Sequence, residues 1–217
     1  MQDGPIVGCA LVLLVLLMYL ERERNPGTLV PVKFLLSLLF VITAVVQPHP
    51  YLHYYYFLLG GMILCLGGDV LLALPSGAMF LYGLISFLFG HIMYICAFLF
   101  LAKMTAGVWI VAIFVCVIGG IVYVWLLPRL GQMKYPVFFY SVVIGVMLIA
   151  ACSVMGNRAL PASGRTMVLG GALSFYVSDI FVARDRFVAK AFINRVFGLP
   201  LYYAGQFLLA FSVGMVK

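Results

Sequence analysis

Residues 54–74, YYYFLLGGMILCLGGDVLLAL, form an apolar run broken by one charged residue, Asp69. As a helix rising 1.5 Å per residue, a run of this length reaches across a hydrocarbon core about 30 Å thick. Water is absent at that depth, so the backbone must satisfy its own hydrogen bonds, which a single helix can do. The same reading along the chain finds eight such runs, at approximately 4–20, 29–47, 54–74, 79–101, 107–127, 135–156, 166–183 and 198–216. A chain that is 66% hydrophobic and 9% charged, with mean hydropathy +1.21, lies far outside the range of soluble domains. The expected fold is an all-α polytopic membrane protein, one transmembrane domain over 1–217 built as a bundle of eight helices with short connections. No soluble domain is left to carry chemistry, so any site must come from helix walls and helix ends.

The first run lacks a basic leader and is followed by Glu21-Arg22-Glu23-Arg24 rather than a small-residue cleavage site, so it reads as a span and not a signal peptide. All five cysteines lie within apolar runs without C-x-x-C spacing, which argues against disulfides and a thiolate metal site. The formal charge of +7 is unevenly placed. Arg22, Arg24, Lys33, Arg129, Lys134, Arg184, Arg186, Lys190 and Arg195 fall at one end of the spans, against Lys103, Arg158, Arg165 and Lys217 at the other. The positive-inside rule makes the first group cytoplasmic and both termini non-cytoplasmic. A basic excess of this kind sets topology and meets anionic lipid; it does not call for nucleic acid.

Six carboxylate side chains are present, and Asp3, Glu21, Glu23 and Asp185 fall at termini or connections. Asp69 and Asp179 alone lie well inside apolar runs, where a charge costs about 2.5 to 3.5 kcal/mol on insertion scales, so they are the leading functional candidates. Asp69 precedes Pro75 and Asp179 precedes Arg184 by similar intervals, in runs of the same direction, which places the two acids at matching depth. The chain also reads as a parallel duplication of four helices, with an acid near the end of the third and seventh and polar aromatic pairs in the fourth and eighth.

Polar side chains accompany these acids. Gly67 and Gly68 beside Asp69 permit close approach of a helix or a substrate. His91 and Tyr94 share one face of the fourth run, Tyr176 and Asp179 one face of the seventh, and Tyr203 and Gln206 one face of the eighth, with Tyr202 reaching Gln206 one turn on. His91, Tyr94, Tyr176, Tyr202, Tyr203 and Gln206 are therefore candidates for binding or orienting a substrate. Tyr51, Tyr54, Tyr55 and Tyr56 cluster at the start of the third run and read as an interfacial belt. Only three histidines occur, two of them at the opposite surface, so no metal site is expected and no cofactor motif is present.

The segments GGDVLLALP, FGHIMYICAF, SFYVSD and LYYAGQ, met in this order over roughly residues 55–215, resemble the YhhN family of lysoplasmalogenases. Gly67-Gly68-Asp69 also looks similar to the Gly-x-Gly-Asp element of intramembrane aspartyl proteases, but Leu66 stands where its first glycine belongs and Ser178-Asp179 replaces its Tyr-Asp. The YhhN resemblance implies an integral membrane hydrolase that cleaves the vinyl ether of lysoplasmalogen to a fatty aldehyde and glycerophosphoethanolamine or glycerophosphocholine. Its substrate is a lysophospholipid within the bilayer, and it needs no cofactor.

A vinyl ether resists nucleophiles and opens in acid. Protonation of the outer alkene carbon gives an oxocarbenium ion, water adds, and the hemiacetal collapses. One acid and one carboxylate are the minimum, as in glycoside hydrolysis, which makes Asp69 and Asp179 the catalytic candidates. Arg184, Arg186 and Lys190 are candidates to meet the phosphate. The competing reading from another class is a proton-coupled transporter using the same acids as a relay, and a bacterial plasma membrane is favoured over endoplasmic reticulum.

Overall fold

Each apolar run folds as a long helix. The structure is a computed structural model that describes residues 3–23 and 25–217; Arg24, counted above with the basic group, and the side chains of Asp3 and Glu23 lie outside the described residues. The helices are α1 (Asp3–Glu23), α2 (Pro26–Val46), α3 (Leu52–Ala73), α4 (Gly77–Leu101), α5 (Ala106–Leu126), α6 (Lys134–Met155), α7 (Ala162–Ala183) and α8 (Phe192–Met215). All eight are long and apolar enough to cross a membrane, and no strand occurs among the described residues. The chain is thus an integral membrane protein built as a helical bundle.

Local chemistry sets the ends of these helices. Asn25 caps α2 by accepting from the Gly27 amide at 2.9 Å, and Pro26 occupies the first turn, where its missing N–H is not needed. The α1–α2 connection is consequently very short, and α1 runs on helically through Glu21. α7 continues into a π-helical segment, Arg184–Val188. α8 begins at Phe192 rather than near 198 and keeps Pro200 inside it, so Arg195 sits in its first turns and not in a connection. Membrane helices tolerate proline where neighbouring structure satisfies the freed backbone.

Glycine decides how the helices meet. A Cβ built on Gly61 would fall 2.4 Å from the Tyr94 ring and 2.9 Å from the Gly90 carbonyl oxygen. Cβ atoms on Gly171 and Gly205 would fall 2.9 and 2.8 Å from one another's carbonyl oxygens. Only glycine lets backbones approach this closely, and α3 with α4 and α7 with α8 make the two most extensive helix contacts. The interval from Gly61 to Gly171 is the interval from Asp69 to Asp179, and that from Gly90 to Gly205 is that from His91 to Gln206.

The remaining contacts repeat the pattern. α2 packs on both α3 and α8, and α6 on both α7 and α4, while α1 lies outside α2 and α5 outside α6. The helix contacts within and between α1–α4 and α5–α8 thereby largely repeat, the pattern expected of the duplication read from the sequence. α1 and α5 leave most of their apolar side chains exposed, including Val12, Val15, Ile113 and Val124, which faces them towards lipid. Tyr54 and Tyr55 depart from the expected belt: both are buried, Tyr54 against Ser212, because helical periodicity turns them inward while Tyr51 and Tyr56 stay exposed.

Candidate active site

The short turns and the helix ends surround a cavity of about 330 Å³ at the end of the bundle that carries most of the basic residues. Asp69 from α3 and Asp179 from α7 both line it, as do Tyr176, Tyr202 and Tyr140. Asp69 is 6% exposed, whereas the Asp179 side chain is 19% exposed, so the second acid is the more open of the two. Its wall is partly apolar, with Leu72, Phe87 and Ile144 among the lining residues, and charged residues from the helix ends, Arg186 and Lys190 among them, complete it at the mouth.

Each acid is held by one oxygen. The Asp69 Oδ2 accepts from the Ser37 hydroxyl and from the Tyr202 hydroxyl, both at 2.6 Å. Behind Tyr202, Gln206 donates from Nε2 to the Tyr202 oxygen at 3.3 Å, and its Oε1 accepts from the Tyr94 hydroxyl at 2.7 Å. The Asp179 Oδ2 accepts from the Tyr140 hydroxyl, and His91 Nε2 lies 3.0 Å from that hydroxyl and 3.8 Å from the carboxylate oxygen. A phenol has one hydrogen to give, so with Asp179 ionised and holding the Tyr140 hydrogen, His91 Nε2 is the donor to the Tyr140 oxygen. In both cases Oδ1 has no protein partner among the described residues and is the oxygen left to the cavity.

The two arrangements correspond. A tyrosine hydroxyl grips each aspartate, and a polar side chain at equivalent positions of α4 and α8, His91 or Gln206, stands behind that tyrosine. The correspondence is partial: Tyr202 comes from α8 and Tyr140 from α6, which are not counterparts in the two halves, and Asp69 has Ser37 as a second donor and Lys33 within electrostatic reach, while Asp179 has the imidazole.

The structure sorts the residues singled out from the sequence. Tyr176 and Tyr202 reach the cavity, whereas His91, Tyr94 and Gln206 lie behind its wall in the supporting network, and Tyr203 is buried on α8 outside the lining. Tyr176 shares a helix face with Asp179, as its spacing requires, but Tyr140 of α6 is the phenol that bonds the acid. Tyr140 and Ser37 were missed because neither α6 nor α2 carries an intramembrane acid to point to it. Among the basic residues, Arg186 and Lys190 line the cavity, with Arg186 stacked 4.2 Å over the Phe80 ring. Arg184 does not line it and is tied to Asn194. Glu21 and Asp185, read as acids of connections, are buried at the cavity mouth because α1 and α7 both extend helically past their apolar runs. No cluster of three or more His, Cys, Asp or Glu that could hold a metal occurs among the described residues.

A model of the YhhN family matches residues 29–213, which include every residue of this network. The chain belongs to that family. Among YhhN relatives, a bovine protein named Lysoplasmalogenase TMEM86A is 31% identical over 156 residues, covering 70% of this chain and 62% of the relative. Its human counterpart of the same name gives 31% over 158 residues with the same coverage. A Mycobacterium tuberculosis protein named Lysoplasmalogenase is 27% identical over 207 residues, 93% of this chain and 76% of its own. The match therefore spans less than two thirds of the mammalian YhhN proteins' length. No solved structure matches the chain at a significant level.

Proposed function

We propose that this chain hydrolyses the vinyl ether of lysoplasmalogen, releasing a fatty aldehyde and glycerophosphoethanolamine or glycerophosphocholine, with Asp69 and Asp179 as the catalytic pair. The observation that carries the reading is that two carboxyl groups line one cavity among membrane helices, each with Oδ2 fixed by a tyrosine and Oδ1 left open. The names of the YhhN relatives supply the reaction class.

The chemistry follows from the bond. One aspartic acid gives its proton to the outer alkene carbon, the π electrons forming the new C–H bond, and the ether oxygen shares the positive charge left on the inner carbon. The other carboxylate stabilises that cation and takes a proton from the water that attacks it. In the collapse of the hemiacetal the second carboxyl group gives its new proton to the departing glycerol oxygen, and the first carboxylate takes the hydroxyl proton as the aldehyde C=O forms. The balance is one water consumed, with both carboxyl groups returned to their starting states. Tyr140 and Tyr202 hold the acids in place, and His91 and Gln206 hold the tyrosines. The alkenyl chain lies against the apolar wall, and the phosphate faces the basic mouth, where Arg186 and Lys190 meet it. The mouth is on the cytoplasmic side by its basic residues, in a bacterial plasma membrane by preference.

The test is aldehyde release by purified protein in detergent. A hydrolase works there, and a transporter needs a sealed vesicle to show anything. No aldehyde from folded wild-type protein supplied with lysoplasmalogen would reject the reading.

A further inference from the structure

The cavity mouth contains an ion pair whose burial nothing so far explains. Lys33 Nζ lies 3.2 Å from Glu21 Oε1, and the two side chains are 6% and 4% exposed. Arg195 reaches the same Oε1 at 3.3 Å but spends most of its contacts on Asp185, with Nη2 at 2.9 Å and Nε at 3.1 Å. Asp185 also accepts from the Ala191 amide and from Asn194, each at 3.3 Å. Arg195 and Asp185 therefore fasten the π-helical segment to the start of α8, which is a structural duty. Glu21 ties α1 to Lys33 of α2 and to Arg195 of α8, but this holds through Oε1 alone, and Glu21 Oε2 has no partner among the described residues. Burying two charges costs desolvation, and an apolar pair of the same volume is often as stable or more so.

Position gives the pair a use. Both residues line the cavity that holds Asp69 and Asp179. Lys33 stands one turn of α2 from Ser37, the residue that bonds Asp69, about 6 Å along the helix axis. In a 1-alkenyl lysophospholipid the phosphorus lies five covalent bonds from the ether oxygen, a comparable reach. The amino group follows four bonds later, towards the mouth.

We propose that Lys33 and Glu21 form the head-group subsite, Lys33 taking the phosphate and Glu21 the ammonium of a zwitterionic head group. The inference rests on the reading that the substrate is a lysophospholipid. Without substrate the two residues neutralise each other; with it, each exchanges its partner for a group of the same sign, so the site buries no net charge in either state. An anionic head group without an amine would satisfy Lys33 and leave a second negative charge beside Glu21. The pair therefore selects ethanolamine and choline head groups over a bare phosphate monoester. Arg186 and Lys190, nearer solvent, attract the phosphate without sorting what is attached to it.

Saturated ethers test this apart from catalysis, because they carry no vinyl bond to cleave. Binding of 1-O-alkylglycerophosphoethanolamine, 1-O-alkylglycerophosphate and 1-O-alkylglycerol is measured by calorimetry on the full chain in detergent. The wild type is expected to bind the zwitterion at least about tenfold more tightly than either of the others, the scale of one charge-assisted contact. Lys33→Gln should narrow the gap between the zwitterion and the alkylglycerol to what the Glu21–ammonium contact alone supplies, and Glu21→Gln should close the gap between zwitterion and phosphate monoester. Lys33→Arg should keep the phosphate preference. Equal wild-type affinity for the three ligands overturns the proposal, as does an undiminished preference in folded Lys33→Gln. Should a single variant fail to fold, the wild-type comparison still decides. Absence of aldehyde release would instead reject the activity and leave these binding results standing.

Discussion

An asparagine in place of Asp69 or Asp179 keeps the shape of the side chain and removes only its charge and its acidic proton. Each variant should lose aldehyde release by at least about two orders of magnitude while folding normally, the lower end for a general acid or base. Near-wild-type turnover by either would sink the two-carboxylate chemistry. Tyr140→Phe should cost roughly ten- to a hundredfold in kcat, since a hydrogen bond to a charged group contributes about 1.5 to 3 kcal/mol. Tyr176→Phe, which removes no hydrogen bond to the acid, should cost little, and comparing the two rates separates the phenol that grips Asp179 from the one that merely shares its helix face. Asp69 and Asp179 stood out in the sequence because charge is expensive in an apolar run. Tyr140 did not, because a lone tyrosine among Phe138, Phe139 and Val142 has the same local signature as a lipid-facing aromatic. Its partners come from α4 and α7, and spacing along one helix cannot report a contact between three.

At the scale of helices, the glycine contacts should govern stability. Gly205→Ala would press a methyl group to 2.8 Å from the Gly171 carbonyl oxygen, a backbone atom that cannot step aside, whereas Gly120→Ala meets nothing within 4 Å. The first should lower stability in detergent by about 1 to 3 kcal/mol, as overpacking does, and the second should be neutral or slightly stabilising. A thermal unfolding comparison checks both, and an unchanged midpoint for Gly205→Ala would count against backbone contact between α7 and α8. Helix existence was plain from hydropathy alone. The start of α8 was not, since Gly198 and Pro200 look like a helix boundary, and only packing against α7 shows that the helix passes through them. Glu21 and Asp185 were misplaced for a related reason: hydropathy marks where a run stops being apolar, not where its helix ends.

For the molecule as a whole, orientation rests on the basic residues clustered at the cavity mouth. A reporter active only in the cytoplasm, fused after Lys217, should stay silent; a strong signal would reverse the topology and move the cavity to the other leaflet. The repeated helix contacts also have a genealogical consequence. A four-helix ancestor paired with a parallel copy of itself would own two identical carboxylates, with nothing in their surroundings to set which of them holds a shared proton. In the fused chain the neighbours are unequal, Ser37 and Lys33 on one side and His91 and Tyr140 on the other, which would fix the proposed division between acid and base instead of leaving it shared. The join falls at the α4–α5 connection, residues 102–105. Halves cut there and co-expressed should reassemble an active enzyme, whereas two copies of either half, although each brings its own aspartate, should not.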